Sequence, residues 1–213
     1  MLIDELKNIA RNNGIVGAGG AGFPAYAKMT EKADTVILNC VECEPLLKLH
    51  RQLLATHTEE IIQMLDEVRE SFGAKEAVIG IKSEYVTTIK AIEEVIGDFP
   101  NVRICALKAA YPMGDEVVLI YEATGRVIKP GGLPIDENVV VYNVETMYNL
   151  YRAVHLNIPV TNKLVSIVGE IDHPLTVRVP LGTTVKEAIS LAGKITVEDP
   201  AYVMGGPMMG RLG

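Results

Sequence analysis

Short apolar runs of strand character alternate along this chain with longer stretches that carry a helical stripe, and this alternation limits the fold more than any single motif. The strand-like runs are Thr35 to Leu38 (TVIL), Glu76 to Ile81 (EAVIGI), Val102 to Leu107 and Val139 to Val141. Between them, Ile61, Ile62, Leu65, Val68 and Phe72 line one face of a helix over Thr58 to Phe72, with Thr58 as N-cap and Gly73 as stop. Further helices are expected from Tyr85 to Ile96, from about Asp115 to Ala123, and over the segment carrying Glu145, Tyr148 and Leu150. Another opens the chain, where Leu2, Ile3, Leu6, Ile9 and Ala10 share a face ahead of Asn12-Asn13-Gly14. Strands joined through helices pair in parallel, so the expected fold is α/β, a mainly parallel sheet with helical crossovers.

After Pro159 the pattern changes. Leu164 to Val168 and Thr176 to Val179 read as short strands joined by a turn around Asp172-His173-Pro174, and Thr183 to Ala192 as a short helix. A chain of 213 residues exceeds the usual domain size of about 100–150. Two domains are therefore expected, 1–160 and 161–213, the second a small strand–strand–helix module. The run Met-Gly-Gly-Pro-Met-Met-Gly at 204–210 reads as an irregular loop with a soft packing surface.

Composition removes several classes of function. The net charge is −7, no basic run exists to track a phosphate backbone, and three phenylalanines with no tryptophan offer little for base stacking, which argues against nucleic acid. No apolar run approaches the roughly 20 residues of a membrane-spanning helix, which argues against direct membrane insertion. Asp4 and Glu5 stand where a secretory signal needs basic residues, so the expected location is cytoplasmic, or peripheral on the inner face of the membrane where a partner holds the protein. Three cysteines suit a reducing compartment better than a disulfide framework.

Gly17-x-Gly19-x-x-Gly22 matches the dinucleotide fingerprint in letters only, because that motif needs a strand before it and a helix after it. Here a helix precedes and Pro24 follows. Its physical content survives: backbone amides without side chains can approach a phosphate or a flat ring, or the glycines can serve a hinge or tight packing. Lys28 offers a cation nearby or a solvated surface charge. Glu42 and Glu44, two apart just beyond a buried strand, would point the same way in an extended run, as paired acceptors or as a charged rim. Cys40-x-x-Cys43 has metal or redox spacing but no second pair follows, and Cys105 falls in a strand expected to be buried; no metal site is expected. His50, His57, His155 and His173 are scattered without ligand spacing and read as structural or surface residues. Gly114-Asp115-Glu116, after Tyr111-Pro112, sets acidic groups at a helix start.

Taken together and in order, GIVGAGGAGFPAYAK (14–28), NCVECEP (39–45), YPMGDE (111–116), GGLP (131–134) and YNVET (142–146) resemble the RnfC family of electron-transport proteins, related to the FMN- and NADH-binding subunit of respiratory complex I. The resemblance covers nearly the whole chain and is strongest to the soluble RnfC-like electron-transfer proteins, cobalamin reductases among them. It implies a complex I flavin-subunit-like fold followed by a ubiquitin-like, β-grasp SLBB module over about 164–194. It also implies site residues. Gly17, Ala18, Gly19 and Gly20 match a backbone cradle for FMN, and Lys28 a lysine near its phosphate. Asn39, Glu42 and Glu44 match the polar group around the flavin ring and ribityl chain. Tyr111, Gly114, Asp115 and Glu116 match the segment between flavin and nicotinamide, with Glu116 as the catalytic candidate. Tyr142 and Asn143 match a second phosphate contact, and Phe23 an aromatic in the dinucleotide cleft.

Departures accompany the matches. Ala18 and Val41 stand where the complex I subunit has an arginine and an aspartate, and Glu31 and the Gly132-Leu133 region where it has phenylalanines. Each lost aromatic contact removes about 0.5–1.5 kcal/mol, so NADH binding is less supported than FMN binding. The chain ends at Gly213, ahead of the region where relatives carry 4Fe-4S clusters, and is expected to be a shortened form. The resemblance implies a flavoprotein that takes hydride from NADH and passes electrons to iron–sulfur clusters, with a redox partner protein or electron-transport complex downstream. Its rivals are a cofactor-free docking subunit and a cobalamin-type reductase.

Overall fold

A computed structural model describes residues 1–213 and divides them into two compact units, Met1–Cys43 with His50–Pro159, and Glu44–Leu49 with Val160–Gly213. The first unit is built on four parallel strands, β1 (Thr35–Cys40), β2 (Glu76–Lys82), β3 (Val102–Leu107) and β4 (Val139–Asn143), in the order β3-β2-β1-β4. Its helices are α1 (Ile3–Asn12), α2 (Leu49–Thr56), α3 (Thr58–Phe72), α4 (Val86–Val95), α5 (Glu116–Thr124) and α6 (Val144–Leu156). The expected parallel sheet with helical crossovers is what forms.

Parallel strands covered on both faces need no polar alternation. β1 and β4 are buried accordingly, while the edge strand β3 is half-exposed. Cys105, expected in a buried strand, therefore sits half-exposed on that edge. On one face Leu119, Ile120 and Ala123 of α5 pack against Ile37, Val78, Val139 and Val141. Gly80 of β2 makes that approach possible, because an added Cβ would collide with the Leu119 side chain. Val36 and Leu38, fully buried, point to the opposite face, where α3 and α6 pack along each other and against β1, and α1 packs on both helices.

Local signals set most element ends. Gly73 closes α3 in the left-handed conformation, at φ 67°. Asp115 caps α5, its Oδ1 accepting from the amides of Val117 and Val118. Thr58 does not cap α3 as expected. An unanticipated helix, α2, runs almost into α3, so His57 takes the cap position and the Thr58 hydroxyl donates back to Leu54 O at 2.8 Å.

In the second unit, β5 (Asn162–Ile167) and β6 (Leu175–Pro180) pair antiparallel, with Val165 opposite Val177, and α7 (Val185–Ser190) follows behind a Thr184–Glu187 capping box. Residues 205–210 of the Met-Gly-Gly-Pro-Met-Met-Gly run form the irregular loop of a hairpin, β7 (Val203–Met204) and β8 (Arg211–Leu212), with Met204 itself paired in β7. Glu44 belongs to this unit, its two carboxylate oxygens accepting from the amides of Met208 at 3.0 Å and Met209 at 2.7 Å.

Candidate functional site

In the first unit, β2 and β3 lie to one side of β1 and β4 to the other, so the strand order reverses between β1 and β4. A crevice at such a reversal, beyond the carboxyl ends of the strands, is where open α/β sheets take ligands. Asn39 and Asn143 stand there in register, at the ends of the two strands.

The glycine loop forms one wall. It closes on itself through Gly17 N donating to Phe23 O at 2.7 Å and Gly22 N to Gly17 O at 3.2 Å. Gly20 and Gly22 adopt φ of 123° and 64°, the region that favours glycine. The Ala18 amide donates to the Thr146 hydroxyl, 2.9 Å away in the first turn of α6. An added Cβ on Gly19 would lie 3.5 Å from Asn143 Nδ2, so loop and helix end are neighbours. The amides of Gly19, Gly20 and Ala21 have no acceptor within the chain. Asn143 caps α6 through Oδ1, which accepts from Glu145 N at 2.9 Å, and its Nδ2 lies 3.2 Å from the His50 ring. Unengaged amides beside the positive end of a 13-residue helix make an anion-binding surface.

The opposite wall is the segment before α5. Gly114 is held from both sides: its amide donates to Cys43 Sγ at 3.1 Å, and its carbonyl accepts from Asn39 Nδ2 at 3.0 Å. Asn39 Oδ1 accepts from Val41 N at 2.9 Å, which fixes the amide's orientation. A Cβ at 114 would overlap the Val41 carbonyl and the Cys43 sulfur. Glu116, the first residue of α5, takes Lys28 Nζ at 3.0 Å, and the same ammonium donates to Val141 O on β4 at 3.3 Å.

Glu42 turns inward and is 4% exposed. Its Oε1 accepts the His50 amide at 2.7 Å and so caps the start of α2, while Oε2, 3.7 Å from Arg51 Nε, has no hydrogen bond. The Arg51 guanidinium lies over the Tyr85 ring, 4.5 Å from its centroid. Burial pushes the Glu42 carboxyl up to about 6, against the opposing pull of the His50 amide and the charges of Arg51 and Lys82. The same burial raises the Cys40 thiol and the Tyr85 phenol.

The structure thus brings together Gly17, Ala18, Gly19 and Gly20 with Asn143, and Asn39 with Gly114, Asp115, Glu116 and Lys28. Phe23 and Tyr111 are exposed on their loops. Two expectations are corrected. Glu42 and Glu44 do not form a carboxylate pair, because residues 41–48 take no strand conformation and Leu46 turns at φ 66°; one is buried and the other holds the 204–210 loop of the second unit. Tyr142 presents no phenol to the crevice, since it is 2% exposed and its hydroxyl donates to Ala25 O at 3.4 Å.

Sequence reasoning missed Thr146, His50 and Cys43. Thr146 follows the Asn143 cap by three positions, a spacing that places it in the first turn of a helix and could have been read. Nothing in the sequence points to Cys43 as an acceptor for Gly114. No group of His, Cys, Asp and Glu side chains is arranged to hold a metal ion.

Residues 10–152 match the Nuo51 FMN-binding domain family, and residues 164–212 match the SLBB domain. Cobalamin reductase PduS of Salmonella typhimurium is 41% identical over 209 residues, which cover 98% of this chain and 46% of the reductase. A component of the Na+-translocating ferredoxin:NAD+ oxidoreductase complex of Acetobacterium woodii is 32% identical, over 97% of this chain and 48% of that protein. The chain therefore spans about half the length of these relatives. A crystal structure of NAD+-reducing NiFe hydrogenase in the H2-reduced state has the same fold, with a TM-score of 0.78 at 22% identity over 95% of this chain and 41% of that one.

Proposed function

The chain belongs to the Nuo51 FMN-binding domain family, and on that premise we propose that its first unit holds FMN and serves as the electron-transfer component between NADH and iron–sulfur centres. The observation that carries this is the donor set at the sheet's reversal: the unengaged amides of Gly19, Gly20 and Ala21, beside the N-terminus of α6. A phosphate monoester at neutral pH is mostly dianionic and needs several N–H donors with a favourable field, which these groups supply. Gly20 and Gly22 keep the loop's backbone, rather than side chains, toward the ligand. Across the crevice, Asn39 and Cys43 hold Gly114 so that α5 starts at a fixed place, with Glu116 on it.

When bound, FMN supplies the redox chemistry, hydride uptake from NADH and release of electrons one at a time toward 4Fe-4S clusters. The protein's own residues bind, orient and set the local charge. Phe23, on the exposed rim of the loop, offers an aromatic surface to a dinucleotide. Relatives named as parts of ion-translocating complexes favour an electron-transport complex as partner. No helix is long and apolar enough to cross a membrane, so a membrane partner would be met by these residues at the periphery.

The test is anaerobic mixing of NADH with FMN-loaded protein, following flavin absorbance. Bleaching that slows in Glu116→Gln supports the assignment, and FMN that stays oxidised in the presence of NADH removes the nicotinamide half of it. A second reading, a cobalamin as the final acceptor, is favoured by the 41% identity to a cobalamin reductase. Adding a cobalamin to the NADH-reduced protein separates the two, since only the second predicts a change in the cobalamin spectrum.

A further inference from the structure

Lys28 ends a short 3-10 turn, Ala25–Lys28, and its ammonium is fixed at two points: Glu116 Oε1 at 3.0 Å and Val141 O at 3.3 Å. It ties together the turn after the glycine loop, the edge strand β4 and the first residue of α5. An ammonium held by a carboxylate and a carbonyl differs from a surface lysine sampling solvent, and both side chains are only partly exposed, 35% for Lys28 and 40% for Glu116. The unengaged amides of Gly19, Gly20 and Ala21 belong to the other wall, where Thr146 and Asn143 join the loop to α6. Lys28 makes no hydrogen bond to this loop or to α6. Glu116 has no other ion-pair partner.

From this geometry we infer that Lys28 is a positioning residue for Glu116 and not a ligand of the cofactor's phosphate, an inference that rests on the FMN assignment for its functional meaning. Lys28 holds the Glu116 carboxylate in one place at the start of α5, tied to the Val141 carbonyl of β4. A phosphate ligand and a positioning residue differ in one measurable respect. Removing a charged hydrogen bond to phosphate weakens FMN but not riboflavin, by about tenfold or more. Loosening Glu116 changes both flavins alike.

The experiment compares FMN and riboflavin binding by fluorescence quenching in the wild type, Lys28→Met, Lys28→Arg, Glu116→Gln and the double variant Lys28→Met/Glu116→Gln. The expected result is an FMN-to-riboflavin affinity ratio unchanged by Lys28→Met. NADH-dependent bleaching should slow in both single variants, with the double variant no slower than the worse of them and Lys28→Arg close to wild type. A ratio that falls about tenfold in Lys28→Met would overturn the inference. Amide exchange in the first turn of α5 is followed in the cofactor-free proteins. Faster exchange in Lys28→Met, restored in Lys28→Arg, supports positioning, and unchanged exchange overturns it. If no variant or wild type binds either flavin, the FMN assignment fails while the exchange result still decides the role of Lys28.

Discussion

The amide of Ala18 donates to the hydroxyl of Thr146 at 2.9 Å, across 128 positions of sequence, and this bond joins the glycine loop to the N-terminus of α6. Thr146 is 1% exposed, so its hydroxyl does not easily find water in place of this bond. Thr146→Val, nearly isosteric, is expected to lower stability by about 1 kcal/mol and weaken FMN by roughly fivefold, while Thr146→Ser keeps both near wild type. Urea denaturation and flavin titration of the two variants check this. Equal behaviour of Val and Ser would mean that the bond contributes nothing to the loop's placement.

Gly114→Ala probes the opposite wall. Its methyl group would overlap the Val41 carbonyl and the Cys43 sulfur, and the backbone of Val41 is packed in the core. The substitution is expected to destabilise the protein by about 1–3 kcal/mol, as overpacking does, and to reduce flavin affinity by displacing the start of α5. Alanine tolerated with unchanged denaturation midpoint and affinity would show that the segment before α5 is not held as described.

Glu42 gives the stability of the cofactor-free protein a pH dependence. Its carboxyl lies at about 6 in the fold, above the 4.5 of an ordinary glutamate, because burial disfavours the charge. The unfolded chain therefore loses this proton first. The group's contribution is fully present below pH 4.5, declines as pH rises, and is lost above about 6, a change of about 2 kcal/mol. Denaturation midpoints on either side of that window should differ less in Glu42→Gln, which keeps an acceptor for the His50 amide but cannot ionise. An identical pH profile in wild type and variant would remove Glu42 as its source.

Glu44 is expected to act inside the second unit. Glu44→Gln exchanges two charge-assisted hydrogen bonds to Met208 and Met209 for at most one neutral acceptor. Hydrogen exchange at these amides should quicken. Protection equal to wild type would show that the carboxylate does not hold the loop.

Much of the first unit was legible because its signals are local. The β3 residues 102–107 and the α3 residues 58–72 carry their own periodicity and stops, and the apolar runs of β1 and β4 suit strands covered on both faces. α2 was missed because its start is capped by Glu42, a long-range contact with no sequence pattern. The purpose of Gly80 was equally hidden, since the reason for it is Leu119 on another element. In the candidate site, the glycine loop was readable from backbone chemistry, whereas Asn143 was named only through the family resemblance and its capping of α6 came from the structure. The side-chain directions of Glu42, Glu44 and Tyr142 were not, because an alternation rule presumes an extended chain that stops at Cys40, and burial turned Tyr142 into the core.

The central claim is that the glycine loop and the end of α6 receive FMN. The most direct measurement is a titration of cofactor-free protein with FMN, followed by flavin fluorescence, beside Gly20→Val, whose side chain strains a backbone at φ 123° by about 1–3 kcal/mol. Saturable quenching in the wild type, shifted to higher FMN concentration in the variant, is expected. Fluorescence that stays unquenched with a folded wild-type protein, or quenching that the variant leaves unchanged, would contradict a flavin site at this loop.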